Sequence, residues 1–264
     1  VTEAQDIAQN GLNEIYSGAL QSAAGQVSDP EDPSLEEMIA GVGIFFRRLG
    51  AQRFEQMARD IAEAVIPPIG RREFEDLQEE VDGGEGVDPP RFDDAIDRFT
   101  SQRVPIFRGP VRQNTRSTAT AAIEEAHGPD KSLEQTIQDA RENLEGQAQQ
   151  RSDTIGWTEV AAAAGIAILA AALFMGSETD TEFVKRWISQ LDAKVRTPPE
   201  SRFNHLEPHG QTVPIDRPFN ISGEELMFPG DPSMGASLGN LIGCRCLPLP
   251  LPRSAVDESD ILMT

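Results

Sequence analysis

Residues 160–175, VAAAAGIAILAAALFM, make a run of 16 uncharged residues in a chain of 264. Such a run cannot be left in water. It must lie inside a protein or inside a bilayer. A membrane-spanning helix needs about 20 apolar residues. This run is shorter, rich in Ala, and bounded by Glu159 and Glu178. It reads as a small-residue helix packed tightly within a bundle, with no membrane expected. A membrane-active segment is the competing reading.

The neighbouring sequence supplies the partners for a bundle. Residues 3–24 read as a polar helix, and Asp29-Pro30-Glu31-Asp32-Pro33 breaks the chain after it. Ser34 with Glu37 forms a capping box. Behind it, Leu35, Met38, Val42, Phe45 and Leu49 fall at helical spacing, and Phe54, Met57, Ile61 and Val65 continue after a slip of one position. One side of that helix must be buried. Pro67-Pro68 is expected to end it. A charged helix is expected at 71–82, a glycine joint at 83–86, and a helix over 91–102 with Phe92, Ile96 and Phe99 on one side. Pro110 suits the first turn of a helix running to about 126. Ser132 and Gln135 form a second capping box, followed by Leu133, Ile137 and Leu144. A last helix is expected over 179–193, with Phe183, Trp187 and Leu191 on one face. After Arg196, Pro and Gly become frequent. Residues 211–215 and 241–242 read as short strands, and 247–264 as an extended surface tail. The fold class is therefore mainly α: a helical N-terminal arm and bundle followed by a small irregular α+β lobe.

Charge narrows the function. The chain carries 44 acids against 23 bases, a net charge of −21, and residues 1–100 alone hold 22 acids and 8 bases. Coating of bulk nucleic acid is excluded by that balance, since phosphate binding needs a basic surface. Only Lys131, Lys185 and Lys194 are lysines. Acid-rich, Lys-poor composition suits a protein that works in high salt; a GC-rich genome accounts for it equally well. The N-terminus opens polar and acidic, so no signal peptide is expected. No acid lies between Asp97 and Glu124, and Arg108, Arg112 and Arg116 fall in that gap as a basic stripe. The stripe suits an acidic partner or a DNA phosphate backbone; the alternative is a solvated face pairing with the chain's own acids.

Reactive chemistry is sparse. There is no Walker loop, no dinucleotide glycine fingerprint and no Gly-x-Ser-x-Gly elbow. Asp192, Glu224 and Glu225 offer only the carboxylate pairs that any acidic protein contains. The remaining candidate is Cys244-x-Cys246 with His205 and His209 about 40 residues upstream. Two Cys and two His can make a zinc site, although the cysteine spacing is tighter than the usual two to four. Small buried cysteines in a strand, or a disulfide between lobes of an oligomer, would give the same pattern. In a strand the two sulfurs point to opposite sides and only one can face His205. A turn at Arg245 would bring both to one side.

One longer run is more specific. It comprises Lys185-Arg186-Trp187, Leu191-Asp192, Val195-Arg196, His205, Gly210 to Asp216, Pro218-Phe219, Pro229-Gly230-Asp231-Pro232 and Gly243-Cys244-Arg245-Cys246. In order and spacing it resembles the Mu F-like minor head protein family of tailed viruses, the phage head morphogenesis domain. Upstream, Trp157-Thr158-Glu159 before the Ala-rich helix matches the family's Arg-Thr-Glu. Trp157 stands where the family has Arg, and Gly243 where it has Asn. Charge and helical pattern mark an acidic helical arm over 1–104, to which the resemblance does not extend; the resemblance implies a head morphogenesis domain over 105–250 with its motifs at 157–246, followed by an extended tail over 251–264. It implies a minor structural protein of the virion head rather than an enzyme. Such a protein assists head assembly, DNA packaging or delivery, and assembles in the host cytoplasm in multiple copies around the portal. Its partners would be the portal and other head proteins. The structural motif would be Trp187, Asp192, Arg196, His205, Gly210, Gly230, Asp231, Cys244, Arg245 and Cys246. Asp192 and Arg196, four apart at a helix end, would pair or cap. His205, Cys244 and Cys246 would tie the lobe to the helices, by packing or by a metal such as zinc. Some family members carry a toxin domain after the Cys-x-Cys; with 18 residues following Cys246, none is expected here. Metal-dependent activity within the lobe, or a membrane-active ejection protein using 160–175, is the alternative.

Overall fold

A computed structural model describes residues 2–81 and 83–262; the side chains of residues 85, 99 and 101–113 lie outside the description. The fold is mainly α, with a small α+β lobe after residue 179. Its helices are α1 (Thr2–Ala24), α2 (Leu35–Arg48), α3 (Gly50–Glu80), α4 (Pro89–Ala126) and α5 (Leu133–Thr179). The lobe holds β1 (Phe183–Ile188), β2 (Thr212–Pro214), β3 (Phe219–Ile221), β4 (Glu224–Leu226), the short α6 (Leu238–Leu241) and β5 (Leu247–Pro252). Contacts divide the chain into two units, each discontinuous in sequence. One is Thr2–Asp60 with Phe107–Gly156; the other is Ile61–Ile106 with Trp157–Thr264. The division expected at 104/105 is not where the contacts fall, because α3, α4 and α5 each supply residues to both units.

In the first unit α1 buries Ala4, Ala8, Leu12, Ile15, Ala19 and Ala23, a single helical stripe. Its backbone touches that of α2. A Cβ on Gly41 would stand 2.4 Å from the Ser22 carbonyl oxygen, and the Ser22 hydroxyl donates to the Gly41 carbonyl at 2.8 Å. Phe45 is buried against Gly18, whereas Leu49 is 55% exposed. The slip in the apolar spacing is a real break: Leu49 (φ −115°) caps α2, and α3 starts anew at Gly50. Of the two capping boxes, Ser132 and Gln135 close reciprocally. Ser34 accepts from the Glu37 N–H, but the Glu37 carboxylate turns to Ser28 instead and staples the preceding loop.

Pro67-Pro68 does not end the helix. α3 runs through both prolines, fusing with the charged helix expected after them. The prolines cannot donate to the carbonyls of Glu63 and Ala64. Glu63 is exposed and Ala64 partly so, which leaves water to serve those carbonyls. The buried side continues across the interruption through Val65, Ile66, Phe74 and Leu77. In the second unit it packs on α4 and α5, where the Phe74 and Phe92 rings stack at 4.7 Å and Phe174 closes the cluster at 5.6 Å from Phe92. No helix begins at Pro110: α4 runs unbroken from Pro89 to Ala126, joining the helices expected over 91–102 and from 110 into one; the side chain of Phe99 lies outside the description.

The Ala run lies within α5, buried at Ala161–Ala164, Ala167 and Ala170–Ala172. By length and composition α5 could cross a membrane, yet 67% of its most apolar window is buried within the molecule. Small side chains let the lobe come close. A Cβ on Gly165 would meet the Phe228 ring at 2.6 Å, and the Gly230 turn (φ +82°) lies against Ala162.

The helix expected over 179–193 is instead β1. Asp180 adopts a left-handed conformation (φ +57°) that stops α5. The run Phe-Val-Lys-Arg-Trp-Ile then finds antiparallel partners on both edges, β2 and β5. Tertiary pairing of β-forming residues overrides a coincidental 4-residue spacing. The strand expected at 241–242 is likewise the end of α6. The expected tail begins as β5, Leu-Pro-Leu-Pro-Leu-Pro, an edge strand of the three-stranded sheet. Only its leucines have N–H groups for the ladder, so the prolines leave its open edge without donors, which blocks further pairing. The C-terminal residues return to the sheet, with Ile261 buried and bridged to Thr212.

Candidate functional site: a buried His-Cys-Cys cluster

Three functional candidates converge in the lobe. His205, Cys244 and Cys246 are all buried, and their ligand atoms lie within 4.8 Å of one another. Residues 242–243 form a turn, with Gly243 at φ +70°, and residues 244–246 are irregular rather than a strand. Both sulfurs therefore face the same imidazole nitrogen. Nδ1 of His205 is 3.5 Å from Cys244 Sγ and 3.9 Å from Cys246 Sγ. Opposite-facing sulfurs, the outcome expected for a strand, do not occur. No disulfide links the two cysteines.

The tautomer of His205 follows from its neighbour. Asn240 donates its amide to the Ile221 carbonyl at 3.3 Å and to Glu224 Oε2 at 3.0 Å. Its Oδ1 is thus the atom facing His205 Nε2, at 2.7 Å, and must accept. Nε2 carries the proton, and Nδ1 presents its lone pair to the sulfurs. Glu224 is itself fixed by the N–H and hydroxyl of Ser237. The hydrogen bond from Cys244 pulls the Cys246 thiol below its ordinary value, against the burial that opposes it. Cys244, the donor of that pair, is pushed up by the same bond and by burial.

Neutral imidazole beside a thiolate and a second thiol is the donor set of a soft metal site. Zn–S bonds of about 2.3 Å and Zn–N bonds of about 2.0–2.1 Å place tetrahedral S and N ligands about 3.5 Å apart. The Cys244 separation of 3.5 Å matches that edge, and the Cys246 separation of 3.9 Å is longer than it. The outer contact from His205 Nε2 to a carbonyl oxygen is what a ligating His requires. His205, Cys244 and Cys246 could therefore hold a metal ion. His209 does not join them: its Nδ1 accepts from the Ser189 N–H at 3.1 Å.

The other motif residues are structural. Trp187, fully buried, stands edge-on to His205 at 5.8 Å and to Phe219 at 5.3 Å. Gly210 (φ +83°) turns the chain so that its N–H reaches the Trp187 carbonyl. Asp231 ties its own turn, accepting from Met227 N, Ser233 N and the Ser233 hydroxyl. Asp192 and Arg196 do not pair with each other. With β1 in place of the expected helix they are not one turn apart; Asp192 binds Arg245, and Arg196 donates to the Gly239 carbonyl at 2.6 Å. Thr158 Oγ1 accepts from the Gly243 N–H at 2.8 Å, joining the first and last segments of the motif run. Of the basic stripe, Arg116 is exposed on α4; Arg108 and Arg112 lie outside the described residues.

Asn240 and Ser237 escape a reading of the sequence. The one signal is a lone amide within Leu238-Gly-Asn-Leu-Ile, an odd residue to bury without a partner. No family model, curated protein or solved structure matches the chain.

Proposed function

We propose that this chain is a minor structural protein of a tailed-virus head, of the Mu F-like kind, acting at the portal vertex. It joins the portal in multiple copies in the host cytoplasm and stays in the virion head, assisting assembly, DNA packaging or delivery. The observation that carries this reading is the closure of the motif run on itself, from Thr158 to Gly243 and from His205 to the two cysteines. Motif residues that fill a core and close turns suit a fastener. A substrate site needs open volume, and the cavity beside the cluster is about 10 Å³. That size argues against hydrolysis at the cluster. Burial of most of the apolar window of α5 favours a bundle over a bilayer.

The metal proposed at His205, Cys244 and Cys246 is zinc, which takes thiolate and imidazole together and needs no redox partner. It would clamp the 205 loop to the 243–246 segment. The Arg108–Arg116 stripe would serve portal or DNA contact. The test is quantitative mass spectrometry of purified heads, with cross-linking to the portal protein. Low-copy presence and portal cross-links are expected; absence of the chain from washed virions overturns the proposal.

A further inference from the structure

We infer that the metal at this centre is held by three protein donors and one water molecule, seated in the cavity beside Arg196. The inference rests on the metal reading above and concerns what completes the coordination shell. Four-coordination is the rule for zinc with such ligands, and the chain supplies only three. Its whole complement is two cysteines and three histidines. His209 has turned its Nδ1 to the Ser189 N–H, and His127 is bound at the Pro33 carbonyl. Among the described residues no carboxylate joins the cluster. Glu207, the acid nearest His205 in sequence, is exposed, and Asp192 is taken by Arg245.

The space for a fourth ligand is present. A cavity of about 10 Å³ is lined by all three donors together with Lys194, Arg196 and Arg245. That is close to the minimum that holds one water molecule, and too little for a polyatomic substrate. Charge agrees with size. Two thiolates cancel a dication, so a neutral ligand keeps the buried centre neutral. The charged groups lining the cavity are all cations, which disfavours a second metal and favours a ligand with lone pairs. Water has one lone pair for the metal and another for a guanidinium N–H.

The full chain, loaded with Zn²⁺ or with Co²⁺ as a spectroscopic probe, tests this. X-ray absorption of the zinc form should give two sulfurs at about 2.3 Å and two N/O ligands at about 2.0–2.1 Å. The low-temperature resonance of the Co²⁺ form should broaden in ¹⁷O-enriched water. His209→Gln should leave the Co²⁺ spectrum unchanged. Stoichiometric metal without ¹⁷O broadening, or with a spectrum altered by His209→Gln, overturns the water ligand while the metal site stands. Failure of the wild-type chain to bind either metal overturns both.

Discussion

Asn240 decides which nitrogen of His205 carries the proton and so leaves the other's lone pair to the sulfurs. Its amide is committed to Ile221 and Glu224, so its oxygen must receive the Nε2 proton. Replacing it with Leu frees the imidazole to take either tautomer, and one of these points a proton at the metal. Loss of such outer contacts weakens metal binding by about 10–100-fold. Asn240→Leu should therefore weaken Co²⁺ affinity by that range in a titration, with the thiolate absorption at saturation retained; unchanged affinity would remove Asn240 from this role. A second residue-scale consequence lies in α3. Partial burial, with Asp76 and Glu80 close by, pushes Glu73 up to about 7. The folded state then keeps a proton that the unfolded chain releases near 4.5. This group's contribution is full below pH 4.5 and is lost as pH rises through 7. Glu73→Gln should match wild type near pH 4.5 and melt higher at pH 8. A gap between the two Tm values that does not widen from pH 4.5 to pH 8 contradicts the assignment.

Between elements, closeness is set by residues that lack side chains. α1 and α2 meet at Gly41, where the obstacle to a Cβ is backbone and cannot rotate away. Overpacking of this kind costs about 1–3 kcal/mol. Gly41→Ala should be destabilised by that amount in denaturant unfolding, whereas Leu49→Asp, at an exposed cap, should change stability by less than about 0.5 kcal/mol. If Gly41→Ala unfolds like wild type, the helices do not touch there. On the same face Phe45 is covered by α1, so the apolar side of α2 is satisfied within the chain and needs no portal helix. The Ala run of α5 serves the same purpose from the opposite direction. Its small side chains, with Gly165, admit Phe228 and the Gly230 turn of the lobe.

For the whole molecule the dominant number is the net charge of −21. Many of its ion pairs are exposed, such as Arg53–Glu14 and Arg71–Asp93, and exposed pairs contribute little. Repulsion among the excess acids should therefore outweigh them at low salt. Tm should rise between low and molar NaCl as that repulsion is screened; a flat or falling Tm would leave genome composition as the explanation of the acidity. The amino-acid sequence by itself determined the mainly helical class, the bundle role of 160–175, the helix over 3–24, the Ser132 cap and the trio His205, Cys244 and Cys246. All but the trio rest on local periodicity, capping chemistry or residue type within a short window; His205 lies about 40 residues from the cysteines and is set apart from His209 by the family resemblance. Tertiary structure alone decided that 183–188 is a central strand, because its partners lie 26 to 30 positions away in Thr212 to Pro214 and 59 to 69 positions away in Leu247 to Pro252. It decided that α3 survives two prolines, since the continuous buried side that supports it is supplied by α4 and α5. It also decided that both sulfurs face one imidazole. That depends on the sign of a single backbone angle at Gly243 and on an Asn that only the folded lobe brings to His205.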